Sequence, residues 1–288
     1  ETKQALQQII NAETSLNGFE RLNHARPRAL EYIKSLEKIN NAQKSALEDK
    51  VTQSHDLLEL EHLVNDGTNL NDIMGELAKA IVNNYAQTKA SINYINADNL
   101  RKDNFTQAIN NARDALNKTQ GQNLDFNSID TFKDDIFKTK DALNGIERLT
   151  AAKSKAEKLI DSLKFINKAQ FTHANDEIMN TNSIAQLSRI VNQAFDLNDA
   201  MKSLRDALNN QALPVQASSN YINSDEDLKQ QFDHALSNAR KVLAKETGKN
   251  LDEIQIEGLK QVIEDTKDAL NGIQRLSKAK DKAIQYVQ

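Results

Sequence analysis

The segment LNGIERLTAAKSKAE at residues 143–157 has two related copies in the chain, which are LNGFERLNHARPRAL at 16–30 and LNGIQRLSKAKDKAI at 270–284. The copies begin at positions 16, 143 and 270, so each step is 127 residues. The segments SLEKINNAQ from Ser35 and SLKFINKAQ from Ser162 recur at the same step. Self-similarity at a fixed period is typical of repeat proteins. We therefore interpret the 288 residues as a piece of a longer tandem array.

The composition favours long helices over other folds. The chain has 8 glycines, 2 prolines, no cysteine and no tryptophan, whereas average usage is roughly 7% glycine and 5% proline. Sandwiches, barrels and α/β folds need frequent turns that use these residues. The scarcity of glycine also excludes Gly-rich phosphate loops, and the absence of cysteine excludes thiol chemistry and disulfides.

Charge and hydropathy point to no nucleic acid or membrane partner. The chain has 37 Lys and Arg against 41 Asp and Glu, which gives a net charge of −4. The two signs alternate along the sequence, so no basic nucleic-acid footprint is present. No apolar run approaches the roughly 18 residues that suggest a membrane span, and the first residues lack the pattern of a signal peptide.

Apolar residues from Ile129 to Ile166 follow steps of three and four, with one step of seven that ends at Leu143, which is the period of a helix. The stripe predicts one helix of roughly 40 residues that continues through Gly145 to Asn167. Because a glycine inside a helix costs up to about 1 kcal/mol, its recurrence as Gly18, Gly145 and Gly272 indicates a close helix crossing.

The rest of each repeat predicts three further helices. A short helix is expected from Ala169 to Asn180 after an Asn167 N-cap, and a second long helix after Asn182 or Ser183. A helix of medium length is expected after Ser224 or Asp225. Pro214 should kink the second long helix or end it early. Gly121 and Gly248 are interpreted as left-handed helix ends.

These helices predict an all-α fold, an elongated rod of tandem three-helix bundles that share long helices. A long helix can pack with different partners along its two halves, which removes flexible linkers. Pro27 and Pro214 do not recur at the repeat step, so they are the positions where such a rod would bend. We expect the rod to be monomeric.

No constellation of catalytic residues stands out, so no catalytic, cofactor or metal site is predicted. His55, Glu59 and His62 have helical spacing that could hold a metal. The matching positions of the other copy are the polar residues Asn182, Gln186 and Arg189, which favours a solvated helix face.

One comparison between copies suggests a partner surface. Phe165, Phe171 and Phe195 stand where the first copy has residues 38, 44 and 68, which are Lys, Lys and Thr. Three added aromatic side chains could form an exposed apolar patch. Ordinary variation at the edges of a bundle core explains the same substitutions, and we favour that explanation.

Several motifs resemble known modules. The segments INNAQKSAL from Ile39 and LNDAMKSLRDAL from Leu197, with YINADN from Tyr94, resemble the GA module and the FIVAR module. The alternation of the two resembles the repeat regions of giant staphylococcal extracellular matrix-binding proteins, a family of cell-surface adhesins. The resemblance implies bundles of three helices, a bacterial surface location and binding of matrix proteins such as fibronectin.

The resemblance divides the chain into six segments. Two GA-like three-helix bundles are expected at 17–86 and 144–213, and two FIVAR-like bundles at 87–143 and 214–270. The end of a preceding FIVAR-like module occupies 1–16, and the start of a following module occupies 271–288. The predicted function is a non-enzymatic adhesin segment, acting as a stiff spacer and multivalent matrix binder. The alternatives are an array of albumin- or immunoglobulin-binding modules and an intracellular structural rod.

Overall fold

The computed structural model describes residues 2–287 and contains only helices and connecting segments within that range. The all-α prediction is therefore confirmed. The chain divides into two compact units, residues 1–146 and 147–288. The helices within the described range, in chain order, are α1 (Thr2–Ser15), α2 (Gly18–Ser35), α3 (Asn41–Gln53), α4 (Leu57–Ala90), α5 (Ile92–Asn96), α6 (Asn99–Leu116), α7 (Phe126–Asp141), α8 (Gly145–Asp161), α9 (Lys168–Asn180), α10 (Ile184–Gln216), α11 (Ser219–Ile222), α12 (Glu226–Leu243), α13 (Glu253–Asp268) and α14 (Gly272–Val287).

In the first unit, one long helix belongs to two bundles. The amino-terminal part of α4 packs with α2 and α3, and its carboxyl-terminal part packs with α6 and α7. The 34 residues of α4 extend for about 50 Å at the rise of an α-helix. The buried residues of both bundles form one continuous apolar cluster, from Leu22 in α2 to Ile136 in α7. A shared helix with a continuous core leaves no linker between the two bundles.

The second unit repeats this arrangement with two apolar clusters. One cluster combines residues of α8, α9 and the first half of α10, with Ile160, Ile178 and Ile190 among them. The other combines the second half of α10 with α12 and α13, around Phe232 and Leu236. Leu197 of α10 packs against both clusters, so the long helix is again the element common to the two bundles.

The helix predicted across residues 129–167 is wrong, because the structure divides it into α7 and α8. The apolar stripe continues through the break, since Leu143 in the turn is itself buried. Gly145 begins α8 and does not lie inside a helix. A side chain there would lie against the backbone of α5, with its Cβ at 2.7 Å from the Ala97 nitrogen. The close approach predicted at Gly145 is present, with a turn of backbone as its partner, whereas nothing lies within 4 Å of the Cβ position at Gly18, where the prediction is wrong.

Two other expectations about helix ends are corrected. The long helix α10 passes Pro214 and ends at Gln216, one residue short of the position that matches the end of α4, so the early end is wrong. The left-handed ends predicted at Gly121 and Gly248 are also wrong, since no residue in the range 2–287 has a positive φ. These two glycines are required for space: a Cβ at Gly248 would lie 2.5 Å from Asn167 Nδ2, and a Cβ at Gly121 would lie 2.6 Å from Asn40 Nδ2.

The N-terminal caps follow the sequence closely. Asn167 caps α9 and Ser183 caps α10 through side-chain oxygens that accept backbone N–H groups, as predicted. Asp225 occupies the cap position of α12, but its side chain makes no capping hydrogen bond there. Capping side chains satisfy the amide groups that the first turn of a helix leaves unpaired. Local sequence was therefore sufficient to place these three helix starts.

We expect Gly248→Ala to destabilise the second unit by about 1–3 kcal/mol, because the new methyl group would overlap a buried amide and two carbonyls. Gly258→Ala is the matched control, since Gly258 is exposed within α13 and nothing lies within 4 Å of the position that an added methyl group would take. That control should stabilise by up to about 1 kcal/mol through helix propensity. Urea unfolding followed by circular dichroism measures both. A Gly248→Ala variant as stable as the parent would contradict the packing argument.

Candidate functional site: the buried carboxamide clasp and the repeated groove

Each unit contains a buried polar clasp that ties the short helix of one bundle to a loop of the other. In the first unit, Asn40 and Gln43 form a reciprocal capping box at the start of α3. The Gln43 backbone N–H donates to Asn40 Oδ1 at 2.9 Å, and the Asn40 backbone N–H donates to Gln43 Oε1 at 3.0 Å. Both side chains are fully buried. We call this pair, with its partners in the loop 115–124, the carboxamide clasp.

The remaining donors of the clasp reach across to the end of α6 and to the loop between α6 and α7. Asn40 Nδ2 donates to the carbonyls of Ala115 and Gln122, at 3.2 and 2.9 Å, and Gln43 Nε2 donates to the carbonyl of Leu124 at 2.9 Å. Buried amide groups are costly unless each donor and acceptor has a partner. The clasp meets this requirement, and it does so only while the loop is seated against α3.

Lys118 closes the clasp from the loop side. Its backbone carbonyl accepts a hydrogen bond from the Asn41 N–H at 2.9 Å. Its ammonium group donates to the carbonyl of Ile39 at 2.7 Å and to the carbonyl of Glu37. Burial and the neighbouring Lys44 ammonium group lower the pKa of Lys118. The ammonium group lies against the carbonyls that precede α3.

The second unit reproduces the clasp with different loop residues. Asn167 and Gln170 form the capping box of α9. Their side-chain amides donate to the carbonyl of Val242 at the end of α12, at 3.1 Å, and to the carbonyls of Lys249 and Leu251 in the loop that precedes α13, both at 2.9 Å. Lys245 Nζ donates to the carbonyl of Ile166 at 2.6 Å. Each of these residues lies 127 positions after its counterpart in the first unit. The sequence comparison contained this signal, in the repeated INNAQ and INKAQ segments, but it did not reveal the partners in the loop.

Beside each clasp lies an open groove between the short helix, the long helix and the seated loop. The groove of the first unit has a volume of about 610 Å³, and the groove of the second unit about 550 Å³. The two linings occupy matching positions but differ in chemistry, since Lys50 and Phe126 in the first unit correspond to Glu177 and Glu253 in the second. The helices and the loop that frame the groove recur in both units, whereas the side chains that line it differ.

The three phenylalanines do not form one cluster. Phe165 is half-buried against the cluster around α12 and α13, and the Arg205 guanidinium lies 5.2 Å from its ring centroid. Phe171 is half-buried against the cluster of α8, α9 and α10. Phe195 is 38% exposed. No ring contact joins any two of them in the described part of the chain. A partner-binding role for them stays a prediction, and Phe195 is the member that a partner could reach.

The helical His and Glu set does not form a metal site in the structure. Glu59 accepts a hydrogen bond from Ser54 Oγ at 2.6 Å. Within residues 2–287, no group of three or more His, Cys, Asp or Glu side chains is placed to hold a metal ion. None of the helices in that range has the length and apolar character needed to cross a bilayer.

Comparison with known proteins gives two alternating matches. The GA module family matches residues 19–73 and 146–200, and the FIVAR domain family matches residues 74–144 and 200–271. The transitions at 73/74 and at 200 fall inside α4 and α10, the helices that two bundles share. Our boundaries at 86/87 and 213/214 stay a prediction.

Relatives in Staphylococcus aureus match nearly the whole chain. The extracellular matrix-binding protein ebh of strain MW2 is 39% identical over 284 residues, which is 99% of this chain and 3% of that protein. The extracellular matrix-binding protein EbhA of strain Mu3 is also 39% identical over 99% of this chain, and 4% of its own length is covered. The chain thus spans only a few per cent of the length of these relatives. A crystal structure of an EbhA domain from the same species is 29% identical, with a TM-score of 0.67, and covers 74% of this chain and 84% of that one.

We expect Asn167→Ala to lower the free energy of unfolding of the second unit by about 2–4 kcal/mol, since it removes a helix cap and takes the buried amide donor away from the carbonyls of Val242 and Lys249. Asn17→Ala is the control, because Asn17 occupies the cap position of α2 without a side-chain capping bond, and its effect should stay within about 0.5 kcal/mol. Hydrogen exchange read by mass spectrometry should show faster exchange in residues 242–251 for the first variant alone. Equal exchange in both variants would refute the clasp.

Proposed function

This chain belongs to the GA and FIVAR repeat family of staphylococcal extracellular matrix-binding proteins, and from that premise we propose that it is a non-enzymatic spacer and multivalent binder. The chain would act as a segment of a bacterial surface adhesin, outside the cell. Its partner would be a host matrix protein, with fibronectin as the candidate that the family resemblance implies.

The connection between the two bundles of a unit supports the spacer role. A shared helix and a fully buried clasp connect the GA-like bundle to the FIVAR-like bundle, at the same positions in both units. A flexible linker would leave each bundle free to rotate. Here rotation within a unit would break buried hydrogen bonds and expose apolar core, so each pair of bundles acts as one stiff body.

The observation that supports binding is the repeated groove beside the clasp. Its frame recurs at the repeat step, while its lining changes from Lys50 to Glu177 and from Phe126 to Glu253. An array of similar sites on one chain gains avidity from repetition, even when each site binds weakly. A stiff spacer that carries many weak sites suits attachment to an extended matrix.

Small-angle X-ray scattering tests the spacer role on the intact chain. We expect a maximum dimension above roughly 80 Å, because a single long helix already extends for about 50 Å. The profile should be unchanged by added salt, since the clasp that stiffens each unit is held by hydrogen bonds to backbone carbonyls and not by ion pairs. A maximum dimension of about half that value would eliminate the spacer while leaving the binding role open.

Surface plasmon resonance on immobilised fibronectin tests the binding role and the exposed aromatic residue. We expect the intact chain to bind, and Phe195→Lys to weaken binding severalfold without loss of stability, because the side chain is 38% exposed. Val82→Lys is the matched control, since Val82 is 77% exposed on the other long helix. Equal binding by the two variants would remove Phe195 from the proposed patch.

Calorimetry with serum albumin distinguishes the alternative that the GA resemblance implies. Binding with a fixed stoichiometry for each GA-like bundle would favour a soluble-ligand binder over a matrix binder. Under our proposal, albumin gives no heat of binding at concentrations at which fibronectin is bound.

A further inference from the structure

Each copy of the repeat contains an Asn-Gly dipeptide at its Leu-Asn-Gly turn, as Asn17-Gly18, Asn144-Gly145 and Asn271-Gly272. Asn-Gly is the dipeptide most prone to deamidation, because glycine has no Cβ to hinder its own backbone nitrogen. That nitrogen attacks the asparagine Cγ, a C–N bond forms, and ammonia leaves with the side-chain nitrogen. Water then opens the resulting cyclic imide to give aspartate or isoaspartate.

In the turn after α13, both reacting groups are held away from each other. The backbone N–H of Gly272 is buried and donates to Ser224 Oγ at 2.9 Å. The Asn271 carboxamide is bound at both ends, since Oδ1 accepts from the Asp225 N–H at 3.1 Å and Nδ2 donates to Asp225 Oδ2 at 2.7 Å. The cyclisation requires the carboxamide to rotate toward the glycine nitrogen, which would break these bonds.

The turn after α7 has the same carboxamide bonds but lacks the hydroxyl. Asn144 Nδ2 donates to Asp98 Oδ2 at 2.8 Å, and the Asp98 N–H donates to Asn144 Oδ1 at 3.2 Å. Ala97 stands where the other turn has Ser224, so no side-chain oxygen is available there for the glycine N–H. Of the two protections seen after α13, this turn therefore keeps the carboxamide bonds and lacks the hydroxyl.

Asn17 provides the internal comparison. It is exposed at the cap position of α2, and its side chain makes no capping hydrogen bond. No atom lies within 4 Å of the position that a Cβ would take at Gly18. The three Asn-Gly dipeptides of one chain thus differ in the number of bonds that must break before the imide can form.

We propose that Asn144 and Asn271 are latent deamidation sites, which the closed turns protect and which react when a turn opens. The product cannot restore the turn, because an aspartate at position 271 would place a carboxylate oxygen where Nδ2 now lies, 2.7 Å from Asp225 Oδ2. Two carboxylates at that distance repel each other strongly. Isoaspartate adds a backbone atom to a turn in which Gly272 already lies against the backbone of Asn220 and Ser224. Opening of a turn is therefore recorded as a covalent change that keeps it open.

The inference goes beyond the spacer and binding roles and does not depend on them. It follows from the hydrogen bonds of the two turns alone. Asn93 bonds to the backbone of the turn after α7, and Asn220 bonds to the backbone of the turn after α13. A chain that binds no matrix protein would still deamidate in the order that these bonds dictate.

The test is a time course on the full chain at mildly alkaline pH, with each site followed by peptide mapping and mass spectrometry. In urea the three sites should react at similar rates. In the folded chain Asn17 should react fastest, Asn144 more slowly and Asn271 slowest, with Asn271 more than about tenfold slower than in urea, because reaction requires an open turn. Ala97→Ser should slow Asn144 toward the rate of Asn271, since it restores the missing hydroxyl.

Two results would overturn the inference. One is a folded chain in which Asn144 and Asn271 react as fast as Asn17. The other concerns the Asn271→Asp variant, which mimics the product. If the turn of this variant exchanges its amide hydrogens no faster than the turn of the parent chain, the inference is wrong. Asn17→Asp is the matched control for that measurement and should change neither exchange nor stability, because its side chain makes no capping bond in the structure.

Discussion

The carboxamide clasp is the interaction on which the arrangement of each unit depends. A long helix shared by two bundles does not by itself prevent the bundles from moving about it, because helix surfaces can slide on one another. Asn40 and Gln43 prevent this, since their side chains are fully buried and their amide N–H groups donate to carbonyls at the end of α6 and in the loop that follows it. Leaving such groups unpaired costs more than a typical hydrogen bond gains. The polar group, more than the apolar core, selects a single arrangement.

The glycines of the chain follow from the same constraint. Gly121 and Gly248 lie where the clasp amide passes over the loop, and Gly145 and Gly272 lie where a turn meets the backbone of the short α5 and α11. All four have ordinary negative φ values, so their role is steric. Four of the 8 glycines therefore lie at points where the backbone is approached so closely that a side chain would not fit.

The two units show what a repeat can vary without losing its frame. The clasp keeps its asparagine and glutamine in both copies, whereas the groove beside it changes charge and the Leu-Asn-Gly turn gains a hydroxyl in Ser224. Groups with buried hydrogen bonds are unable to change alone, because each would leave a partner unpaired. Surface residues have no such constraint, so the units differ in the places where a partner, water or reagent would meet them.

The sequence by itself determined the helical class, the repeat step, the caps at Asn167 and Ser183, and the amphipathic faces, because these depend on local period and on hydrogen bonds within a turn. It failed at Leu143–Gly145, where an apolar stripe continues through a break. Only the tertiary structure decided that break. Asn93, about fifty residues away along the chain, donates a hydrogen bond from Nδ2 to the Leu143 carbonyl and accepts one at Oδ1 from the Ile146 N–H. Tertiary structure also decided the partners of Asn40 and Gln43, and it placed Phe165 and Phe171 against different cores while leaving Phe195 exposed. A hydrogen bond between distant segments leaves no periodic trace in either one, so the sequence shows the donor but not where it is used.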